Sequence, residues 1–206
     1  MTRKLSQAMI LMLLIQVSIF SLASAQSEQI SSSTVTYTAD ARTARIEKLK
    51  SQFKVQLNDK EKELISTRCT LAQARLKSIA YQLDGIESSR GATYDGIIST
   101  LLEINNRLND QFVDTSSLDL LIVDYQSVVK KFNLSIEGYR LSLDDATSID
   151  CKNNPEDFRA ALEGVRAARK PIVDSSQQIN DLTKTNLKTT FESLAVRLDI
   201  GAPNGQ

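Results

Sequence analysis

Between residues 65 and 86 the apolar positions Ile65, Cys69, Ala72, Leu76, Ile79, Leu83 and Ile86 recur at steps of four and three. That is the seam of a helix packing lengthwise against other helices. A strand would alternate every second residue, so this pattern excludes a β-sandwich for the region. The stripe is taken up again by Tyr94, Ile97, Leu101, Ile104, Leu108 and Phe112. Between the two runs lie Gly85, Ser88, Ser89 and Gly91, either a turn or a weak stretch of one long helix. Each internal glycine costs about 1 kcal/mol relative to alanine.

Similar stripes follow. Leu118, Leu121, Tyr125, Val128, Phe132, Ile136, Tyr139, Leu143 and Ala146 predict a helix over 117–148, with Ser116 as its N-cap and Asp119 three residues on. Asn154, Pro155, Glu156 and Asp157 form a helix-start signal for a last helix ending near Leu198, stopped by Gly201 and Pro203. Upstream, Ile46, Leu49, Phe53 and Leu57 mark a sparser helix beginning at Ala39. The run Asn58 to Glu63 reads as a solvated helix surface. The fold class expected is therefore all-α.

The amino-terminal residues have the form of a secretory signal. Arg3 and Lys4 precede an apolar run from Ala8 to Phe20, and Ala23 and Ala25 fit the A-x-A cleavage rule, so cleavage is expected after Ala25. The run is shorter than the roughly 20 residues needed to span a bilayer. In an exported chain the two cysteines, Cys69 and Cys151, are expected to form a disulfide, with two buried free thiols as the alternative. The expected divisions are residues 1–25 as signal peptide, 26–38 as a lead-in, 39–66 as a helical arm, 67–200 as the helical bundle and 201–206 as a tail.

The cysteine pair discriminates between two architectures. A turn at 84–92 gives a four-helix up-down bundle, but then Cys151 lies about 40 Å from Cys69 along the axis. A disulfide needs Cα atoms within about 7 Å. A continuous helix through 84–92 brings Ser148 down to about the level of residue 79, and three extended residues cover most of the remaining way to Cys69. The expectation is an antiparallel three-helix bundle with a very long first helix.

Several chemistries are excluded by composition. The chain has no histidine, which removes Ser-His-Asp and Cys-His catalysis, histidine-ligated zinc and the carboxylate–histidine di-iron site. Loss of Arg3 and Lys4 with the signal leaves two more carboxylates than cations, with no basic patch for nucleic acid. Asp144 with Asp145, and Glu156 with Asp157, are adjacent on helices and diverge by about 100°, so neither pair converges for acid–base work. Arg68, Arg166 and Arg169 are candidates for anion binding or surface pairing. Tyr81, Tyr94, Tyr125 and Tyr139 fall at or near core spacing, and Asn133 begins a glycosylation sequon in mid-helix. Helix lengths bring Gly91, Gly138 and the Ala167 carbonyl freed by Pro171 to one level, a packing waist or a site of close approach.

Arg68-Cys69 with Gln73, Asp150-Cys151 followed by Asn153, Asn154, Pro155 and Phe158, and the pair Arg166 and Arg169 carry a resemblance over residues 64–198. In these the chain resembles uncharacterised secreted helical proteins of candidate-phylum bacteria of the Saccharibacteria kind. The resemblance implies secretion, helices and the cysteine pair, and no activity. The functional expectation is a secreted non-enzymatic structural or interaction protein binding another protein or a cell-envelope component, with no cofactor, no metal site, no nucleic acid and no membrane span after cleavage. The arm at 39–66 is expected to pair with another chain, to fold against the bundle or to stay exposed, and any self-association is expected to run through it. A periplasmic-type holdase with helical arms and an extracytoplasmic ligand-binding bundle are the alternatives.

Overall fold

The structure, a computed structural model, describes residues 38–198. The signal segment, residues 26–37 of the lead-in and the tail lie outside the described residues. Every regular element described is helical: α1 (Ala39–Phe53), α2 (Asp59–Asp110), α3 (Ser116–Ser148), α4 (Pro155–Asp181) and α5 (Leu187–Arg197), the last two joined by a π-helical turn at Leu182–Asn186.

The longest element is α2, with 52 residues running through Gly85, Gly91 and Gly96 without a break. At 1.5 Å per residue it spans about 78 Å. The stretch 84–92 is thus helical, and the chain turns elsewhere. Lys54 takes a left-handed conformation at φ 48°, which closes α1 through backbone bonds to Lys50 and Ser51. Four residues later Asn58 and Glu61 form a reciprocal capping box, at 3.0 and 2.9 Å, that starts α2.

Counting α4, the π-helical turn and α5 as one continuous helix, the described residues hold four helices rather than the three favoured, the number of the four-helix alternative, but the fourth comes from the arm and not from a turn at 84–92. Of the arm at 39–66, α1 folds back onto α4, and residues 59–66 belong to α2.

The helices α2, α3 and α4 alternate in direction. Their main core joins Phe132, Ile136, Leu143, Phe158 and Tyr125 to the α2 column Cys69, Leu76 and Leu83 and to Ile46 of α1. Tyr94 meets Phe132 edge-on, with ring centroids 5.4 Å apart. A second, smaller core closes the other end around Leu101, Leu118, Leu121, Ile122 and Leu194. Above it, the exposed Asp119 accepts from the buried Asn105 at 2.8 Å and the buried Thr115 at 3.3 Å, so a half-buried polar lock holds the α2–α3 turn. The N-cap of α3 is Thr115, one residue before the expected Ser116. Tyr125 and Tyr139 are buried as expected, whereas Tyr81 is exposed.

Cys69 and Cys151 are joined by a disulfide, with Cα atoms 5.6 Å apart and both residues buried. One turn above Cys69, the Gln73 amide donates to the Thr147 and Ile149 carbonyls at 3.2 and 2.7 Å. It satisfies backbone groups that the end of α3 would otherwise leave orphaned. In the loop that follows, Asp150 accepts from Asn153 and Lys152, and the Asn153 bond, the larger effect, holds its carboxyl below the usual range. Asn154 and Pro155 then open α4 where expected.

The bridge closes a loop with a sequence separation of 82 residues. Replacing both cysteines by alanine is expected to lower unfolding free energy by about 4 kcal/mol, chiefly through the unfolded chain. Urea titration followed by circular dichroism checks this, and the variant is expected to stay helical in water. Asn58→Ala is expected to cost about 1 kcal/mol through the lost cap, readable in the same titration.

Candidate functional site

Because α3 lies between α2 and α4, those two helices scarcely touch along their middle. A groove of about 530 Å³ runs between them. Its floor is Leu83 of α2 with Ile136 and Tyr139 of α3, all buried. One wall is Ile79 and Ile86 of α2, the other Ile172 and Val173 of α4. The rim carries Gln82, Arg90, Arg169 and Ser176, and no carboxylate lines it.

The α2 seam explains the groove. Its two columns have different fates. Cys69, Leu76 and Leu83, seven residues apart, are buried throughout. In the other column Ile65 and Ala72 are half-covered near the disulfide, while Ile79 and Ile86 are 39% and 44% exposed, facing Val173 at 52%. A seam spaced for a helical neighbour thus lacks one over its upper half.

The opposite side of α3 and α4 is occupied by α1. Arg45 grips Asp145 with two bonds, at 2.7 and 2.6 Å, and Arg42 reaches Asp144 at 3.1 Å. Asp145 is buried, and these guanidinium groups supply the donors that its carboxylate lost with water. Lys50 binds Asp157 at 2.9 Å and Glu47 at 3.1 Å, and these bonds, Asp157 first, raise its pKa above the ordinary lysine value. The sign is that of a cation gaining partners: this stabilisation is complete below the ordinary lysine pKa and is lost as pH rises through the raised one. Under α1, Gly164 gives Leu49 its place, since a Cβ there would come within 2.8 Å of a Leu49 methyl. The adjacent carboxylates expected to be inert for catalysis therefore serve as the anchor of α1. The spacing of Arg42 and Arg45 one turn apart, on the side of Ile46 and Leu49, is the sequence signal for it.

The expected waist is not formed. Nothing lies within 4 Å of a Cβ added at Gly91 or Gly138, and Gly138 and Pro171 are exposed. The three residues do not make a close approach. The arginine set separates too. Arg166 pairs with Glu163 at 2.8 Å, Arg68 lies outside the groove, and Arg169 is on its rim. Asn133 is exposed in the middle of α3.

Asp145→Ala removes the paired bonds from Arg45 and leaves Arg42 its bond to Asp144. The expected loss is about 2 kcal/mol, localised in α1. Hydrogen exchange checks it: amides 41–53 lose protection while those of α3 around Phe132 keep theirs.

No protein-family model, curated protein or solved structure matches this chain.

Proposed function

We propose that the chain is an exported, non-enzymatic helical protein that holds another protein by taking one of its helices into the groove between α2 and α4. The observation that carries this reading is the uncovered column of the α2 seam. Ile79 and Ile86 stand seven residues apart, opposite Ile172 and Val173, with a buried apolar floor between them. Walls about three turns long on either side of a third helix offer the space that a fourth helix fills in a bundle. Recognition of an amphipathic helix by such a groove uses anchors at i, i+3, i+4 and i+7. Exposed apolar surface of this extent on a secreted chain is costly to leave bare.

Export is part of the proposal. It is supported by the charged, apolar and small-residue sequence of residues 1–25 and by the disulfide, a bond that persists in oxidising compartments. Among the described residues no helix is long and apolar enough to cross a membrane.

The test is site-specific photocrosslinking in the cells that produce the protein. Benzoylphenylalanine at Ile86 and at Val173 is expected to give the same adduct, and none is expected from Leu120, an exposed residue of α3 away from the groove. Ile86→Asp is expected to abolish the adduct from Val173 while changing stability by no more than about 0.5 kcal/mol. Equal adducts from the groove and from Leu120, or none from the groove, overturn the reading.

A further inference from the structure

We infer that the helix accepted by this groove is acidic along both flanks, with carboxylates about two turns apart that pair with Arg90 and Arg169. This rests on the proposed helix-binding role of the groove and adds the chemistry of the partner. The argument begins from what the two arginines lack. Arg169 makes no ion pair or hydrogen bond among the described residues. Its neighbours one turn away on α4, Val165, Arg166, Ile172 and Val173, offer no carboxylate. Arg90 has only a bond to the Ser176 hydroxyl at 3.1 Å. The one acidic residue a turn below it, Glu87, is already taken: Arg140 of α3 binds Glu87 at 2.5 Å and Asp84 at 2.7 Å. The Glu87 bond, the larger effect, pushes the Arg140 pKa further up, so that pair is settled.

An apolar helix laid into the groove covers both guanidinium groups. Covering a cation without giving it an acceptor opposes binding, because the lost hydration is not replaced. Water supplies those acceptors while the groove is open, and the occupant must supply them once it closes. Arginine makes planar paired bonds to carboxylates, so acidic side chains at the flanks meet the requirement directly. The spacing follows from the register. Arg90 is level with Ser176, and Arg169 lies seven residues below Ser176 on α4, about 10 Å along the axis. The two arginines occupy opposite walls. The partner therefore carries its carboxylates on opposite edges of its apolar stripe, about two turns apart.

Two synthetic amphipathic peptides test this against the purified, oxidised chain. Both have the same Leu/Ile stripe, and one carries Glu and the other Lys at the flanks. Isothermal titration at low salt is expected to show the Glu peptide binding at least about tenfold more tightly than the Lys peptide. The double variant Arg90→Glu, Arg169→Glu is expected to reverse that order, and both residues are exposed, so its melting curve should match the parent's. Equal affinity of the two peptides overturns the charge assignment and leaves the helix-binding groove standing. Binding of neither peptide overturns both, as does saturable binding of laurate with no peptide binding, which makes the groove a site for a small anionic amphiphile. A concentration-dependent dimer of the chain alone that Ile86→Asp abolishes makes the occupant a second copy and overturns the assignment to a different protein.

Discussion

The bond between Cys69 and Cys151 sets the vertical register of three helices at once. It fixes a point ten residues into α2 against the loop that separates α3 from α4, and Gln73 reinforces it by bonding the last carbonyls of α3. With that level fixed, α3 has no freedom to slide along α2, and its stripe meets the seam where Tyr94 finds Phe132. The second core at the far end, around Leu118 and Leu194, then falls into place because the three helices reach that level together. A slip of one turn, about 5.4 Å, would break the bridge, the glutamine clamp and the aromatic pair together.

The same register leaves the groove open. Since α3 occupies the inside angle between α2 and α4, each of those helices satisfies one column of its stripe on α3 and turns the other outward. Near the disulfide the outward column is covered, with Lys62 bridging to Glu156 at 3.2 Å and the α1–α2 connection crossing α4. Higher up nothing replaces it. The exposed Ile79 and Ile86 are a consequence of helix arrangement and not of an unusual composition.

Much of the fold was legible because helix periodicity and covalent reach are local, countable properties. The continuity of α2 through Gly85 and Gly91 followed from the reach of the disulfide, which outweighs a propensity cost of about 1 kcal/mol at each. The break between α1 and α2 was missed for an identifiable reason. Lys54 takes the left-handed conformation usually signalled by glycine, and a lysine gives no such signal. Asn58 followed by Glu61 did carry the capping-box pattern, but it lies in a run so charged that it reads as solvated surface. Of the site, the stripe was visible and its uncovered half was not. Which column stays bare depends on how three non-adjacent segments share space. The waist failed on the same point: lengths set levels, but faces depend on rotations of about 100° per residue that accumulate error.

Covalent topology divides the groove unequally. The ring closed by the disulfide contains the Ile79 and Ile86 wall and the Ile136 and Tyr139 floor, whereas the Ile172 and Val173 wall lies outside it. That outer wall is held by packing between α3 and α4 and by the Arg90–Ser176 bond across the rim, and α1 braces the α3–α4 pair from behind through Asp145 and Asp157. The width of the groove therefore answers in part to a helix that never lines it. Ion pairs weaken as counterions accumulate around them, so the brace answers to the salt of the surroundings while the ring answers to their oxidising power.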